Sequence, residues 1–214
     1  MASPSPSTKQ ATEQEPPRRQ IRALYDDKTI TVYQAYSAEI GEAAVKAQRL
    51  NASPKFLGSR MTWIKPSWCW MMYRAGYSYK DPRQERILAL KMKHEHFREL
   101  LAQAVVTDDL VGAMSSEQKA KGVRVQWDPE RSVRIGALGY RSIQIGISGK
   151  VGKLWAEEWV VGIEDVTEMA RGMKRVLDEE PEVGVEELVR RGLMPRERVY
   201  EVPEELRRVL RMEE

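Results

Sequence analysis

Three short segments in the second half of the chain constrain the fold most. VRVQWD (123–128) and YRSIQIGI (140–147) alternate apolar and polar residues, which is the period of a half-buried β-strand, and WVVGIEDV (159–166) has the composition of a third strand. Consecutive strands without a helix between them favour antiparallel pairing. The sequence therefore predicts an α+β fold, with a single domain and a mostly antiparallel sheet flanked by helices, rather than a doubly wound parallel sheet.

The first half of the chain alternates predicted strands and helices. TITVYQAYS (29–37) is rich in β-forming residues, and Ser37 is a suitable N-cap for the helix that follows. RILALKM (86–92) has strand length, and the apolar residues from Phe97 to Val105 recur at helical spacing. Polar side chains near the end of the first of these strands lie where a sheet usually presents its ligand contacts.

Composition divides the chain into three regions. Residues 1–19 are rich in Pro, Ser, Gln and Glu and predict a disordered tail, residues 20–167 predict the α+β core domain, and residues 168–214 predict a charged helical appendage. The single cysteine excludes an internal disulfide and fits a reducing compartment, cytoplasmic or nuclear. The net charge of +3 permits a nucleic-acid partner without arguing for one.

The segment RMTWIKPSWCWMMYRAGY (60–77) contains three of the six tryptophans together with Arg60, Lys65 and Arg74. Residues 60–65 predict a strand, and Ser67 is expected to cap a short helix that ends at Gly76. Cations interleaved with aromatic rings suit a cleft that holds a flat anionic ligand, although helical spacing of core residues would produce much of the same pattern. We expect at least one of these tryptophans to be buried and at least one to line a cleft.

The sequence contains no familiar catalytic motif, whether phosphate-binding loop, dinucleotide-binding glycine motif or zinc-protease motif. His94 and His96 have no third metal ligand at suitable spacing, so no metal site is predicted. No apolar run is long enough to span a membrane. Cys69 lies between two tryptophans and is expected to be a small buried apolar residue rather than a nucleophile.

Two resemblances follow from these segments. The combination of IRALYDD, TVYQAY, RMTWIKPSWCWMMYRAGY, VRVQWDPER, YRSIQIGI and EEWVVGIEDVT looks like a domain family of unknown function found in bacteria and fungi, over about residues 20–170. More distantly, the layout resembles the ADP-ribosyltransferase-like fold. VYQAYS (32–37) stands where that fold has a strand reading V-Y-H-x-T-S, and RSIQIGI followed by WVVGIEDVT is similar to its late catalytic strands.

The second resemblance implies a split sheet, NAD as cofactor and group-transfer chemistry. It places Gln34 where the family has histidine, and it places the catalytic glutamate at Ser142 or Gln144, neither of which is acidic. A neutral amide cannot supply the charge that stabilises an oxocarbenium-like state. Another acid would then be needed, and the candidates are Glu85, Glu130 and Glu164; otherwise the fold binds its ligand without this chemistry.

The candidate site is expected to gather at strand ends. Gln34 and Gln144 are the candidate catalytic residues, and Arg22, Arg60 and Lys65 are expected to converge with them and to hold phosphates. The remaining candidate ligand-binding residues are Tyr33, Tyr36, Thr62, Trp63, Trp70 and Arg141.

Three functions stay open from the sequence. The first is a nucleotide- or NAD-binding protein with ADP-ribosyltransferase-like transferase activity, and the second is an RNA- or nucleotide-binding module without turnover. The third is a protein-interaction domain that works through its charged C-terminal region. A carboxylate in the cleft near Gln34 and Arg60 would favour the enzyme, whereas a cleft with only cations and aromatic rings would favour the binding module.

Overall fold

The computed structural model describes residues 16–107, 115–116 and 121–213, and these form an α+β domain with mostly antiparallel sheets, as the sequence predicts. The strands are β1 (Arg22–Ala23), β2 (Thr29–Tyr36), β3 (Thr62–Ile64), β4 (Arg86–Lys93), β5 (Val105–Val106), β6 (Val123–Arg131), β7 (Ala137–Ile147), β8 (Val160–Asp165) and β9 (Arg198–Val199). The helices are α1 (Ala38–Ala47), α2 (Trp68–Ala75), α3 (His94–Ala102), α4 (Gly149–Leu154), α5 (Thr167–Glu179), α6 (Val185–Arg190) and α7 (Glu204–Val209).

The strands form two main sheets and one small ribbon. One sheet has the antiparallel order β2-β4-β8, and the other has the order β3-β7-β6-β5, in which only β5 runs parallel to its neighbour. β1 and β9 pair antiparallel as a two-stranded ribbon. The predicted strands at 29–37, 86–92, 123–128 and 140–147 are thereby confirmed as β2, β4, β6 and β7.

A single backbone bridge joins the two main sheets. Tyr33 in β2 and Lys65, which directly follows β3, exchange both backbone hydrogen bonds, at 2.7 and 3.0 Å. Among the described residues no further backbone pair connects β2 with β3, so the two strands diverge beyond this point. The divergence leaves a gap between them that only side chains can span.

Helix α2 begins and ends as its sequence predicts. The Ser67 hydroxyl accepts a hydrogen bond from the Trp70 amide at 3.1 Å, and Gly76 takes the left-handed conformation at the C-terminus, with φ of 55°. The helix buries Trp68, Met71, Met72 and Ala75 completely. Its apolar face therefore packs into the core, while Arg74 on the opposite face stays exposed.

Helix α1 is capped differently from the prediction. Ser37 stands at the N-cap position, but its side chain makes no capping hydrogen bond. The Glu85 carboxylate, which arrives from the segment before β4, instead accepts a hydrogen bond from the Ala38 amide at 3.0 Å. A carboxylate at this helix end also interacts favourably with the helix dipole.

The third predicted strand of the 123–166 group belongs to the other sheet. α4 and a π-helical turn at Trp155–Trp159 separate β7 from β8, and β8 pairs with β4. The expectation that the three strands pair in one sheet is therefore wrong for the third strand, which is β8. Trp155 and Trp159 are buried, so this turn anchors the crossover between the sheets.

The C-terminal region packs into the core instead of forming a separate appendage. Leu206, Leu210 and Met212 belong to the same apolar cluster as Trp127, and the Trp127 indole donates a hydrogen bond to the Leu210 carbonyl at 2.9 Å. Helices α5 and α6 contribute Ala170, Met173, Leu177 and Leu188 to a second cluster around α2. At the other end of the chain, residues 1–15 of the predicted tail lie outside the described residues. Arg19, which was also assigned to the tail, is 4% exposed, and its backbone forms a β-bridge with that of Arg141.

We expect Leu210→Ala to destabilise the protein by about 2–5 kcal/mol, the usual cost of removing a buried leucine side chain. Leu210 is fully buried, whereas its neighbour Val209 is 39% exposed and provides the matched control. Urea unfolding of both variants measures the difference. Equal stability of Leu210→Ala and Val209→Ala would restore the interpretation of this region as an appendage.

Candidate functional site

A cleft of about 600 Å³ opens where β2 and β3 diverge. β2 contributes Gln34 and Tyr36, and β6 and β7 contribute Gln126 and Gln144 from one face of their sheet. β3 and its flanks contribute Arg60, Met61, Thr62, Trp63 and Lys65. The remaining lining residues are Ala35, Ser37, Ile40, Lys55, Phe56, Leu57, Arg74, Arg83 and Gln84.

The side chains that line the cleft carry a one-sided charge. They include Lys55, Arg60, Lys65, Arg74 and Arg83 and no Asp or Glu. Lys55 pairs with an exposed glutamate at 3.4 Å, and Arg83 binds Asp81 through two nitrogens. Arg60 and Arg74 are exposed and make no ion pair within the described part of the chain. The cleft therefore presents two unneutralised guanidinium groups to solvent.

A chain of side-chain hydrogen bonds bridges the gap between β2 and β3. The Gln34 amide donates to Thr62 Oγ1 at 3.1 Å, and Gln34 Oε1 accepts from Lys65 Nζ at 3.1 Å. Tyr36 Oη lies 3.5 Å from the same Thr62 hydroxyl. Burial raises the pKa of Tyr36 to about 12, so this phenol stays protonated at neutral pH. Gln34 is fixed in orientation because it donates on one side and accepts on the other.

Lys65 is the least ordinary member of this chain. Its side chain is 2% exposed, and Nζ also donates to the Trp63 carbonyl at 2.5 Å. Burial, with the neighbouring Arg74 charge as a second cause, lowers the pKa of Lys65 to about 7, although Asp128 acts in the opposite direction. Lys65 is therefore not the fixed cation that the sequence suggested, because a large fraction of it is neutral near pH 7.

A second polar group lies on the β6–β7 side of the cleft. Gln144 Nε2 donates to Asp128 Oδ2 at 2.7 Å and lies 3.0 Å from Gln126 Oε1. Asp128 does not line the cleft itself, but it shares the sheet face of Gln126 and Gln144. Burial raises the pKa of Asp128, partly offset by the Gln144 hydrogen bond. A neutral amide at the cleft is thus hydrogen-bonded to a half-buried carboxylate.

The three tryptophans divide between core and cleft as expected. Trp68 is fully buried, while Trp63 lines the cleft. Trp63 pairs with Gly146 across the sheet, where a Cβ atom would come within 3.0 Å of the indole ring. Gly146 therefore lets the indole lie directly against β7.

Two aromatic candidates are not brought to the cleft. Tyr33 is 1% exposed and packs edge-on against Trp68 at 5.2 Å, on the side of β2 that faces α2. Trp70 is 6% exposed and packs against Tyr73 at 5.3 Å. Both rings are parts of the core, because alternation along β2 and the turn of α2 direct them away from Gln34.

Two arginine candidates also lie elsewhere. Arg141 donates to the Trp127 carbonyl at 2.7 Å, since it points to the opposite face of β7 from Gln144. Arg22 donates to the Glu197 carbonyl at 3.3 Å and does not line the cleft. Convergence on one cleft therefore holds for Gln34, Arg60, Lys65 and Gln144 but fails for Arg22.

Arg22 belongs instead to an acidic group at the start of α2 that consists of the buried Glu130 and the half-buried Glu197. Glu197 Oε1 accepts a hydrogen bond from the Trp68 amide at 2.6 Å, and Glu130 accepts from the Ser67 hydroxyl at 2.8 Å. Burial raises the pKa of both carboxyl groups, and Arg22 partly offsets this rise. The group is a helix cap built from distant segments, so Arg22 has a structural partner.

None of the three candidate acids lines the cleft. Glu85 caps α1, Glu130 is buried at the start of α2, and Glu164 is exposed on β8. Lys55, Arg74, Arg83 and Gln126 line the cleft although the sequence did not single them out as ligand-binding residues. For Gln126 a signal existed, since residues of the same parity as Gln144 on a paired strand share its face.

The described residues contain no group of three His, Cys, Asp or Glu side chains that could hold a metal ion. In the same part of the chain, no helix has both the length and the apolar character that crossing a membrane requires. Cys69 is buried, and burial raises its pKa well above the usual thiol value, which fits an apolar role.

Residues 20–200 match a protein family described as Domain of unknown function (DUF4291). The chain belongs to this family. The match includes every residue that lines the cleft and continues through α5, α6 and β9 of this DUF4291 protein. No curated protein matches the chain.

In this DUF4291 protein we expect Glu197→Ala to lower the unfolding free energy by about 1–3 kcal/mol, because it leaves the Trp68 amide without its acceptor. Glu197→Gln keeps an acceptor oxygen and removes the buried charge. Since the folded pKa is raised, the wild-type carboxyl costs stability as pH rises above 4.5, its unfolded value. Urea unfolding at pH 5 and pH 8 measures this, and the unfolding free energy of Glu197→Gln relative to that of the wild type should be higher at pH 8 than at pH 5.

We expect the stability of the wild type to rise with pH relative to Lys65→Met. The folded pKa of Lys65 is about 7 against an unfolded value of 10.5, so between these limits the unfolded chain binds the extra proton. The difference in unfolding free energy should grow by up to about 1.4 kcal/mol per pH unit. Urea unfolding at pH 7.5 and pH 9.5 measures it, and a pH-independent difference would contradict the lowered pKa.

Proposed function

We propose that the cleft binds a nucleotide with two or more phosphates, with NAD as the first choice. The observation that carries the proposal is the set of four cationic side chains besides Lys65, without a carboxylate, in the lining of one cleft that also contains Trp63, Phe56 and Tyr36. A volume of about 600 Å³ is within the range of small-molecule and cofactor sites.

The charge arrangement supports an anionic ligand. Arg60 and Arg74 make no close ion pair within the described residues, although the Arg74 charge also acts on Asp81. Like charges that share a cleft repel each other until an anion lies between them. A guanidinium group binds phosphate oxygens in a bidentate manner and keeps its charge at all accessible pH values. Two such groups at one cleft suit a diphosphate better than a single phosphate.

The aromatic and amide side chains suit the rest of a nucleotide. Trp63 is partly exposed at the cleft, and an indole face provides a stacking surface for a base. Gln126 and Gln144 offer amide groups on the neighbouring strands of the same sheet. One ligand could therefore place its anionic group at the arginines and its base against Trp63 within the same cleft.

The choice of NAD rests on the resemblance to the ADP-ribosyltransferase-like fold. The divergence of β2 from β3 supports the split sheet which that resemblance implies, and Gln34 and Gln144 both line the resulting cleft. In the transferase interpretation Gln34 would hydrogen-bond the ribose or the amide edge of the ligand. Gln144, backed by Asp128, would stand where the resemblance expects the catalytic glutamate.

A binding module without turnover is the second candidate. The lack of a carboxylate among the described residues that line the cleft favours it, because the charge that would stabilise an oxocarbenium-like state is absent from the surface of the cleft. Nicotinamide release from NAD, followed by chromatography, separates the two candidates. Release above the rate in buffer supports the transferase, and binding without release supports the module.

A thermal-shift screen against NAD, ATP and short RNAs tests the ligand class. A ligand that binds only the folded state at 100 times its Kd stabilises the protein by about 2.7 kcal/mol. We expect NAD to give the largest shift. A larger shift with RNA would indicate that the partner is the end of a nucleic acid. The absence of a shift with any of the three ligands would contradict nucleotide binding.

We expect Arg60→Ala and Arg74→Ala each to weaken NAD binding by about 1–3 kcal/mol, the scale of a lost charge-assisted hydrogen bond. Arg208→Ala is the matched control, because this exposed arginine lies on α7 outside the cleft lining and its loss changes the net charge equally. Isothermal titration calorimetry measures the affinities. Unchanged affinity in both cleft variants, or an equal loss in the control, would rule out phosphate binding at these arginines.

A further inference from the structure

The Nζ atom of Lys65 has the hydrogen-bond pattern of a neutral amine. It donates to Gln34 Oε1 at 3.1 Å and to the Trp63 carbonyl at 2.5 Å, and both partners are uncharged acceptors. Within the described residues its third position makes no hydrogen bond. An ammonium group has three N–H donors to satisfy, whereas an amine has two and a lone pair. The two acceptors therefore match the two N–H groups of the amine, and neither of them engages its lone pair.

The surroundings of Lys65 favour the same state. Its side chain is 2% exposed, and no carboxylate touches Nζ. The charges that act on it are Arg74 from α2, which disfavours the ammonium, and Asp128 from β6, which favours it. Asp128 accepts a hydrogen bond from Gln144 at 2.7 Å and is not among the residues that line the cleft. Burial and Arg74 together outweigh this one carboxylate and lower the pKa of Lys65 to about 7.

A desolvated lysine beside another cation is one of the recognised arrangements that make an amine nucleophilic. Lys65 is one of the cleft-lining residues, so a compound that enters the cleft comes into contact with it. Arg60 and Arg74 line the same cleft and have no ion-pair partner in the described part of the chain. A ligand that satisfied all three groups would carry a phosphate and an electrophilic carbon.

We propose that Lys65 is a reactive amine that forms an imine with a phosphorylated aldehyde or ketone held in the cleft by Arg60 and Arg74. The lone pair of Nζ attacks the carbonyl carbon, the π electrons of the C=O bond move to the oxygen, and one proton passes from the nitrogen to that oxygen to give a carbinolamine. The nitrogen then loses its second proton as the hydroxyl group leaves as water and the C=N bond forms. The step consumes one amine and one carbonyl group and needs no oxidant or reductant.

Pyridoxal 5′-phosphate is a suitable probe because it combines an aldehyde with a phosphate. The full-length protein is incubated with it at pH 7.5, reduced with borohydride, and digested for peptide mass spectrometry. We expect one label per chain, on Lys65, and no such label in Lys65→Met. Lys46→Arg is the matched control, since Lys46 is an exposed lysine on α1 outside the lining of the cleft, and this variant should label as the wild type does.

Two further measurements distinguish a site from general lysine reactivity. Pyridoxal without the phosphate should label Lys65 about tenfold more slowly, as expected for the loss of about 1.4 kcal/mol of phosphate binding. The labelling rate should rise with pH and reach half its maximum near pH 7, in line with the pKa of about 7 of Lys65. Labels spread over exposed lysines with Lys65 unmodified, or equal rates with and without the phosphate, would overturn the proposal.

The experiment is independent of nucleotide binding. Imine formation at Lys65 without any NAD affinity would support the reactive amine and count against the proposed function. NAD binding without a label on Lys65 would support the proposed function and contradict the reactive amine. A folded state of Lys65→Met, verified by its cooperative urea transition, ensures that a missing label reports the missing amine.

Discussion

The backbone bridge between Tyr33 and Lys65 is the constraint on which the rest of the structure depends. It is the one backbone connection between the two main sheets that the described residues show, and both sheets diverge from it. On one side the Tyr33 ring packs with Trp68 in the core beneath α2. On the other side the sheets separate and leave the cleft. A sheet paired along the full length of β2 and β3 would have no such opening.

The same bridge explains how a lysine can be buried at the cleft. The backbone of Lys65 is fixed by two hydrogen bonds to Tyr33, so its side chain has little freedom to turn towards solvent. Gln34 spans the gap one residue further along β2 and meets Nζ there. An amine held in this way costs stability at neutral pH. Strain or unfavourable charge that a fold maintains is often found where the protein binds or reacts.

Two sets of charged side chains play different roles in this DUF4291 protein. At the start of α2, Glu130 and Glu197 cap the helix and face Arg22, so the carboxyl groups and the cation are partners within the fold. At the cleft, Arg60 and Arg74 have no such partner among the described residues. The contrast separates charges that stabilise the fold from charges that are available to a ligand. Composition alone does not reveal this difference, because the chain has nearly equal numbers of acidic and basic residues.

Local patterns in the sequence determined most of the secondary structure and part of the cleft. The alternation in 123–128 and 140–147 and the Ser67 and Gly76 caps of α2 depend on neighbours in sequence, so they were predictable. Only the tertiary structure decided that β8 joins β4, that Arg22 faces Glu197, and that Lys65 is buried. Those outcomes depend on which distant segments meet, and the pKa of a side chain depends on the charges and the burial that such meetings create.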